Sequence, residues 1–312
     1  MLSYHARRSL NEDFAEIASP SQVDGVWLHG VEVTEEEVAQ AIRQYKLDSN
    51  IVHDVLDTNE LPRIEYDEAG TLYVFLRTPW RVRSGEVKTA PLLAIASSTN
   101  YVTLSQSKIS HPTEVVDKHP RIATQDSLLL LLATFAAVVS DYEALIHHTS
   151  SVVRTTKYRL RKREATNEDF YRFITIEENL STYNYNLTAM LSVAERLHED
   201  SRAVLSHRHL EALDDIILHI RQLRASVASS SHAVASLYNV YSTVANNLLN
   251  QRMKALTIVT LVVTVPNVFY GMYGMNIALP FAKEPWAYGA IVLFTLIVII
   301  LVLILVRRSK LL

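Results

Sequence analysis

Seven residues, Asn250, Met253, Leu256, Thr260, Thr264, Asn267 and Gly271, follow one another at intervals of three or four. That spacing places them on one face of an α-helix. Thr260, Thr264 and Asn267 bring neutral oxygens into a segment otherwise rich in Val, Leu and Ile. The face leads into Tyr270-Gly271-Met272-Tyr273-Gly274-Met275-Asn276. An amide oxygen at Asn276 and bare backbone at Gly271 and Gly274 suit the reception of a cation by neutral oxygens. Met253 and Leu256 are the apolar members of the face, and a ring of such side chains can close a pore by dewetting. On the residues alone two readings stay open. The stripe lines water, or it is a helix–helix contact in which Thr and Asn serve as polar glue. Pro266 removes one backbone hydrogen bond from the same helix.

The elements that hold this face follow from charge. Residues 255–282 and 285–306 contain no Asp, Glu, Lys, Arg or His. Each stretch can supply the roughly 20 apolar residues that cross a bilayer core of about 30 Å. Arg252 and Lys254 precede the first span, Arg307, Arg308 and Lys310 follow the second, and the loop between offers Lys283 beside Glu284. The positive-inside bias then puts both termini in the cytoplasm and the loop outside. The N-terminal MLSYHARRSLNEDF has no apolar core of the secretory kind, so the large N-terminal part is expected in the cytosol. The localisation expected is a cell membrane crossed twice.

From Arg121 to Val265 the chain contains neither Gly nor Pro, which predicts long helices, because loops and sheets normally need such punctuation. A helix from Ser206 to Gly271 would be about 100 Å long at 1.5 Å per residue. It must be bundled with neighbours or with copies of itself. Leu128–Val139 is apolar all round but too short to span, so it is expected as a buried helix. The first 120 residues differ. Val26–Val33, Arg63–Glu68, Thr71–Arg77, Leu92–Ala96 and Tyr101–Ser105 read as strands, with helices at Thr34–Lys46 and around Asn50–Leu56. Thr34 with Glu37 carries a capping-box signature. The expected organisation is a cytosolic α/β domain over 1–120, a helical hairpin over 121–205 packed on it and a stalk helix over 206–254. Transmembrane helices follow over 255–275 and 286–306, separated by an extracellular loop over 276–285, with a basic tail over 307–312.

Composition excludes several classes. Net charge is −3, too small to argue for nucleic acid. Cysteine is absent, so disulfides and thiolate metal sites are ruled out. No nucleotide-binding glycine loop, nucleophile–base pair or zinc-hydrolase helix is present, and an enzyme is not expected. The His147-His148 and His207-Arg208-His209 groups do not converge on one metal and read as solvated. The basic run Arg154–Arg163 reads as a solvated hairpin tip, with contact to anionic lipid headgroups as the alternative.

NQRMKALTIVTLVVTVPNVFYGMYGMN, residues 250–276, resembles the first transmembrane helix and signature of the CorA metal ion transporter family, two-span Gly-Met-Asn type. NIVHDVLDTNELPRIEYDEAGTLYVFL resembles its α/β domain and LYNVYSTVANN its stalk. The resemblance implies an α+β membrane protein assembled as a homopentamer, with five copies of the first span around a central pore. Magnesium is the implied cargo, with cobalt and nickel as alternatives, and no organic cofactor. Gly274, Met275 and Asn276 would form the selectivity loop. Asn250, Thr260, Thr264, Asn267 and Gly271 would line the conduit, and Met253 and Leu256 its hydrophobic gate. By position, Asp54 and Asp215 match acidic residues that bind cytosolic magnesium between protomers and hold the pore closed. Asn239 and His53 stand where further acids are often found, which weakens the site. Two alternatives remain: a zinc or other transition-metal transporter of a sister branch, and a membrane-tethered helical scaffold or sensor.

Overall fold

The structure, a computed structural model, describes residues 1–7, 12–18, 25–109, 112–118, 122–161, 167–200, 205–275 and 284–308. It divides into two compact units, Met1–Arg159 with Thr166–Leu237, and a second made largely of Tyr238–Leu312.

The first unit is built on a seven-stranded sheet. Its strands are β1 (Leu2–Ala6), β2 (Ala15–Glu16), β3 (Val26–Val31), β4 (Arg63–Tyr66), β5 (Leu72–Arg81), β6 (Val87–Ala96) and β7 (Tyr101–Ser105). Their spatial order is β2-β1-β3-β7-β6-β5-β4, antiparallel except for the β3–β7 pair. The parallel pair exists because the chain leaves β3 through two helices and three strands before returning beside it. Those helices are α1 (Glu35–Tyr45) and α2 (Ser49–His53), the second continued by a 3₁₀ turn over Asp54–Leu56. The capping box is present: Glu37 N–H donates to the Thr34 hydroxyl and the Glu37 carboxylate accepts from Thr34 N–H. Beyond the predicted strands lie β1 and β2, and beyond the predicted helices α3 (Pro112–Lys118).

Strand β7 is buried at every residue, so both faces of the sheet are covered. On one face Leu28, Tyr73, Phe75, Leu93, Ile95, Val102 and Leu104 pack with Val38 and Ala41 of α1 and Val52 of α2. The Tyr73 hydroxyl accepts from Asp48 N–H at 3.0 Å and donates to Asp67 at 3.0 Å. Burial pushes that phenol up to about 12, so it keeps its proton and its role as donor at any cellular pH. On the other face lies α4 (Ser127–Arg161), tied down where the buried Tyr101 hydroxyl donates to Thr134. By length and hydropathy α4 could cross a membrane, but its apolar window is 67% buried within the chain. The apolar run at Leu128–Val139 is therefore a sheet-covering helix.

Two more helices complete the unit, α5 (Asn167–Glu199) and the first part of α6 (His207–Tyr273). Their buried residues share one pattern. In α4 they include Val139, Tyr142, Ile146, Thr149, Val153 and Thr156. In α5 they include Phe173, Ile176, Leu180, Tyr183, Leu187, Met190, Ala194 and Leu197. In α6 they are Leu213, Ile216, Ile217, Ile220, Leu223, Val227, Ser230, Val234 and Leu237. With Ile217 set aside as a flanking position, each series alternates steps of three and four, the a/d seam of helices that wind about one another. Cross-helix contacts fix the directions. Asp126, Glu143 and Ser150 of the α4 side meet His209, His219 and Ser230, so α4 and α6 run parallel. Arg221 with Glu195 and His198 with Asp214 show α5 running against α6.

The second unit holds the rest of α6 and α7 (Ala287–Arg308). Ile220 is fully buried at the centre of the seam. Ile220→Ala is expected to cost about 2–5 kcal/mol, as large-to-small core changes do, and a thermal melt of the detergent-solubilised protein measures it.

Candidate functional site

All seven residues of the polar face lie on α6, which runs unbroken through Pro266 to Tyr273. The sequence is free of Gly and other Pro from the start of the helix to that proline. Every one of the seven is exposed; Met253 and Leu256 show 54% and 60% of their surface. Leu248, Ile258, Val262, Val265 and Phe269 are less exposed. These five lie two positions before Asn250, Thr260, Thr264, Asn267 and Gly271. Two residues turn a helix by roughly 200°, so the polar face points away from the side that the chain itself covers. On that covered side Phe269 meets Phe294 of α7 edge to face, with ring centroids 5.3 Å apart. Helix α7 is the more apolar of the two, and its Thr295 hydroxyl is satisfied by Ile291 O at 2.8 Å.

The Thr260 hydroxyl donates to Leu256 O at 2.9 Å, as Thr257 does to Met253 O. Its proton is thereby committed to the helix, and the oxygen presents lone pairs outward. At the helix end Gly274 N–H reaches Tyr270 O at 3.0 Å, closing the last turn. A Cβ at Gly274 would stand 3.3 Å from Tyr270 O, a close approach that glycine relieves. Met275 is exposed at the start of the following segment. Asn276 and most of the 276–285 loop lie outside the described residues, as do Lys310 of the basic tail and Lys162 and Arg163 of the basic hairpin run. A groove of about 640 Å³ lies along the α6 surface of this unit, with Asn247, Asn250, Met253 and Thr257 among its walls.

Asp54 and Asp215 occupy different settings. Asp54, at the 3₁₀ turn, pairs with Arg63 at 2.6 Å. Arg63 also contacts Glu60 and Glu65 and lies over the Phe75 ring, 4.1 Å from its centroid. Asp54 is thus one of three carboxylates sharing a single guanidinium. Asp215 is exposed on α6. His53 turns its Nδ1 back onto its own helix, 2.7 Å from Ser49 O. Among the described residues no group of three or more His, Asp or Glu side chains within the chain could hold a metal. The Arg63 hub was missed in the sequence, although Glu60, Arg63 and Glu65 stand close enough to suggest it.

A seven-stranded α/β body, a helix of 67 residues and a C-terminal pair of helices long and apolar enough to cross a membrane, the first with one polar face, are the makings of a membrane protein. The sequence matches the family profile of CorA-like Mg2+ transporter proteins over residues 23–308, and the chain belongs to that family. It is 22% identical over 291 residues to the cobalt/magnesium transport protein CorA of Methanocaldococcus jannaschii, covering 91% of this chain and 90% of the relative. The cobalt/magnesium transport protein CorA of Thermotoga maritima is 20% identical over 303 residues, covering 95% and 85%. The complete structure of the CorA magnesium transporter from M. jannaschii superposes with a TM-score of 0.80 at 19% identity, covering 100% of this chain and 99% of that one.

Because the chain has no cysteine, single thiols report the environment of each face. Thr264→Cys is expected to react several-fold faster than Val262→Cys with a charged, water-soluble thiol reagent in reconstituted membranes. Equal, slow labelling of both would make the polar stripe a helix–helix contact.

Proposed function

We propose that this protein is a divalent-cation channel that admits magnesium, with cobalt and nickel as further cargo, through a pore formed by copies of the α6 polar face. The observation that carries this reading is the outward aspect of that face. Polar groups at membrane depth are costly toward lipid, and the chain's own α7 lies on the other side of α6. A ring of copies is the arrangement that covers the stripe and leaves water at its centre, and family membership supports five of them.

Asn250, Thr260, Thr264, Asn267 and Gly271 then line the conduit with neutral oxygens and backbone, and Met253 and Leu256 narrow it near the mouth flanked by Arg252 and Lys254. Magnesium gives up its water reluctantly. An entrance made of Gly274, Met275 and Asn276 would recognise the ion through hydrogen bonds from its bound waters to amide and carbonyl oxygens. Between Ala255 and Ala282 there is no carboxylate to trap it. The charge bias of the flanks puts both termini in the cytoplasm, so that a negative interior drives entry by about 2.3 kcal/mol per charge per 100 mV.

The test is magnesium entry into proteoliposomes under an imposed inside-negative potential. Asn276→Ala is expected to abolish most of the entry, and cobalt hexaammine, which carries a hydration-like shell that does not exchange, is expected to block the parent protein. Absence of entry from folded protein with magnesium removed on the cytoplasmic side would redirect the reading to zinc, and then to a scaffold.

Closure by cytoplasmic magnesium at Asp54 and Asp215 of neighbouring copies is the regulatory half of the proposal. Asp54 shares Arg63 with Glu60 and Glu65, so the ion must compete with one guanidinium in a cluster of three carboxylates. Asp54→Ala is expected to shift magnesium-dependent closure to higher concentration, read as flux against cytoplasmic-side magnesium. An unchanged curve removes Asp54 from gating.

A further inference from the structure

A second cavity, of about 580 Å³, lies within the first unit between α4, α5 and the tip of the β5–β6 hairpin. Its volume falls among those of small-molecule sites, about 300–1,000 Å³. The hairpin wall is held in place by Asn179 of α5, whose amide accepts from Val87 N–H at 2.7 Å and donates to Gly85 O at 3.0 Å. Leu145, Val152 and Ile176 supply an apolar floor.

The polar walls are basic. Arg81 from the hairpin is in hydrogen-bond contact with His148 of α4. Among the described residues neither Arg81 nor His148 meets a carboxylate. Across the cavity Arg172 of α5 pairs with Glu168 at 2.6 Å, and a guanidinium with five N–H groups keeps donors to spare. Two guanidinium groups therefore face the opening against one carboxylate, with the His148 ring beside the first. The Arg81 guanidinium donates to the His148 ring and keeps further N–H groups free to turn toward the opening, and guanidinium forks match phosphate oxygens well. None of these residues belongs to the polar face of α6 or to the Asp54 and Asp215 positions.

The geometry points to a ligand site for a small organic phosphate, its phosphoryl group held by Arg81 and Arg172 and its apolar body against Val152 and Ile176. Such a ligand would brace the β5–β6 hairpin against both helices. The site is independent of ion passage, and its occupancy is measured without any flux.

Phenyl phosphate serves as the probe, titrated calorimetrically into the full-length protein in detergent without divalent metal, beside inorganic phosphate and benzoate. One saturable site per chain is expected, with inorganic phosphate and benzoate both weaker. Arg81→Ala is expected to weaken phenyl phosphate binding about tenfold or more, the loss of one charge-assisted contact. Val152→Phe fills the cavity without altering charge and is expected to abolish binding while the thermal transition holds. No binding, or binding that survives Val152→Phe, overturns the site. Benzoate binding as tightly as phenyl phosphate overturns the phosphate assignment, and inorganic phosphate doing so overturns the apolar half.

Discussion

The heptad seam shared by α4, α5 and α6 is the constraint on which the rest of the protein depends. A helix of 67 residues has no stability of its own to match its length, since helices in water draw their stability from an apolar face buried against something else. Over Leu213–Leu237 that something is α4 and α5. Helix α4 in turn is fixed because its first half is pressed on the sheet, where Tyr101 and Thr134 join. The sheet holds α4, α4 holds α6, and the positions on α6 up to Leu237 inherit their setting from that chain of contacts.

Beyond Leu237 no residue of the same helix is buried, and Phe269 against Phe294 is a contact on one side of it. Side chains that are large and apolar, such as Leu249, Val259 and Val263, stand exposed, and the polar stripe is exposed with them. These are two different demands. Apolar surface without cover asks for lipid or another helix, and a narrow row of neutral oxygens asks for water. A bilayer satisfies the first, and a ring of copies enclosing water satisfies both together. The proposed assembly answers a deficit visible in one chain.

Much of this was legible in the residues. Strands β3 to β7, the capping box at Thr34, the breaker-free helices and the face from Asn250 to Gly271 follow from local spacing and punctuation. What escaped notice had weaker local signatures. Strand β1 carries His5, buried to 1%, in a segment whose polar and charged residues mask its alternation. The heptads were obscured because Thr149, Thr156 and Ser230 occupy seam positions that an apolar pattern would not count. Helix α4 has the hydropathy of a span, and only its burial on the sheet tells the two apart. The Arg63 hub joins residues from a turn and a strand, and the basic cavity joins a hairpin with two distant helices. Such convergence is a property of the tertiary fold, invisible to spacing along the chain.

The stripe on α6 has one more consequence. From Ala255 to Met275 the side chains include no acid, no ordinary base and no imidazole, and the Thr260 proton is spent on the backbone. The proposed conduit therefore carries the same electrical character in an acid and an alkaline medium. The chain's histidines all precede it, and three of them, His198, His209 and His219, bridge helices to carboxylates in the seam. The imidazoles belong to the joint between the helices, and the passage itself is left without one.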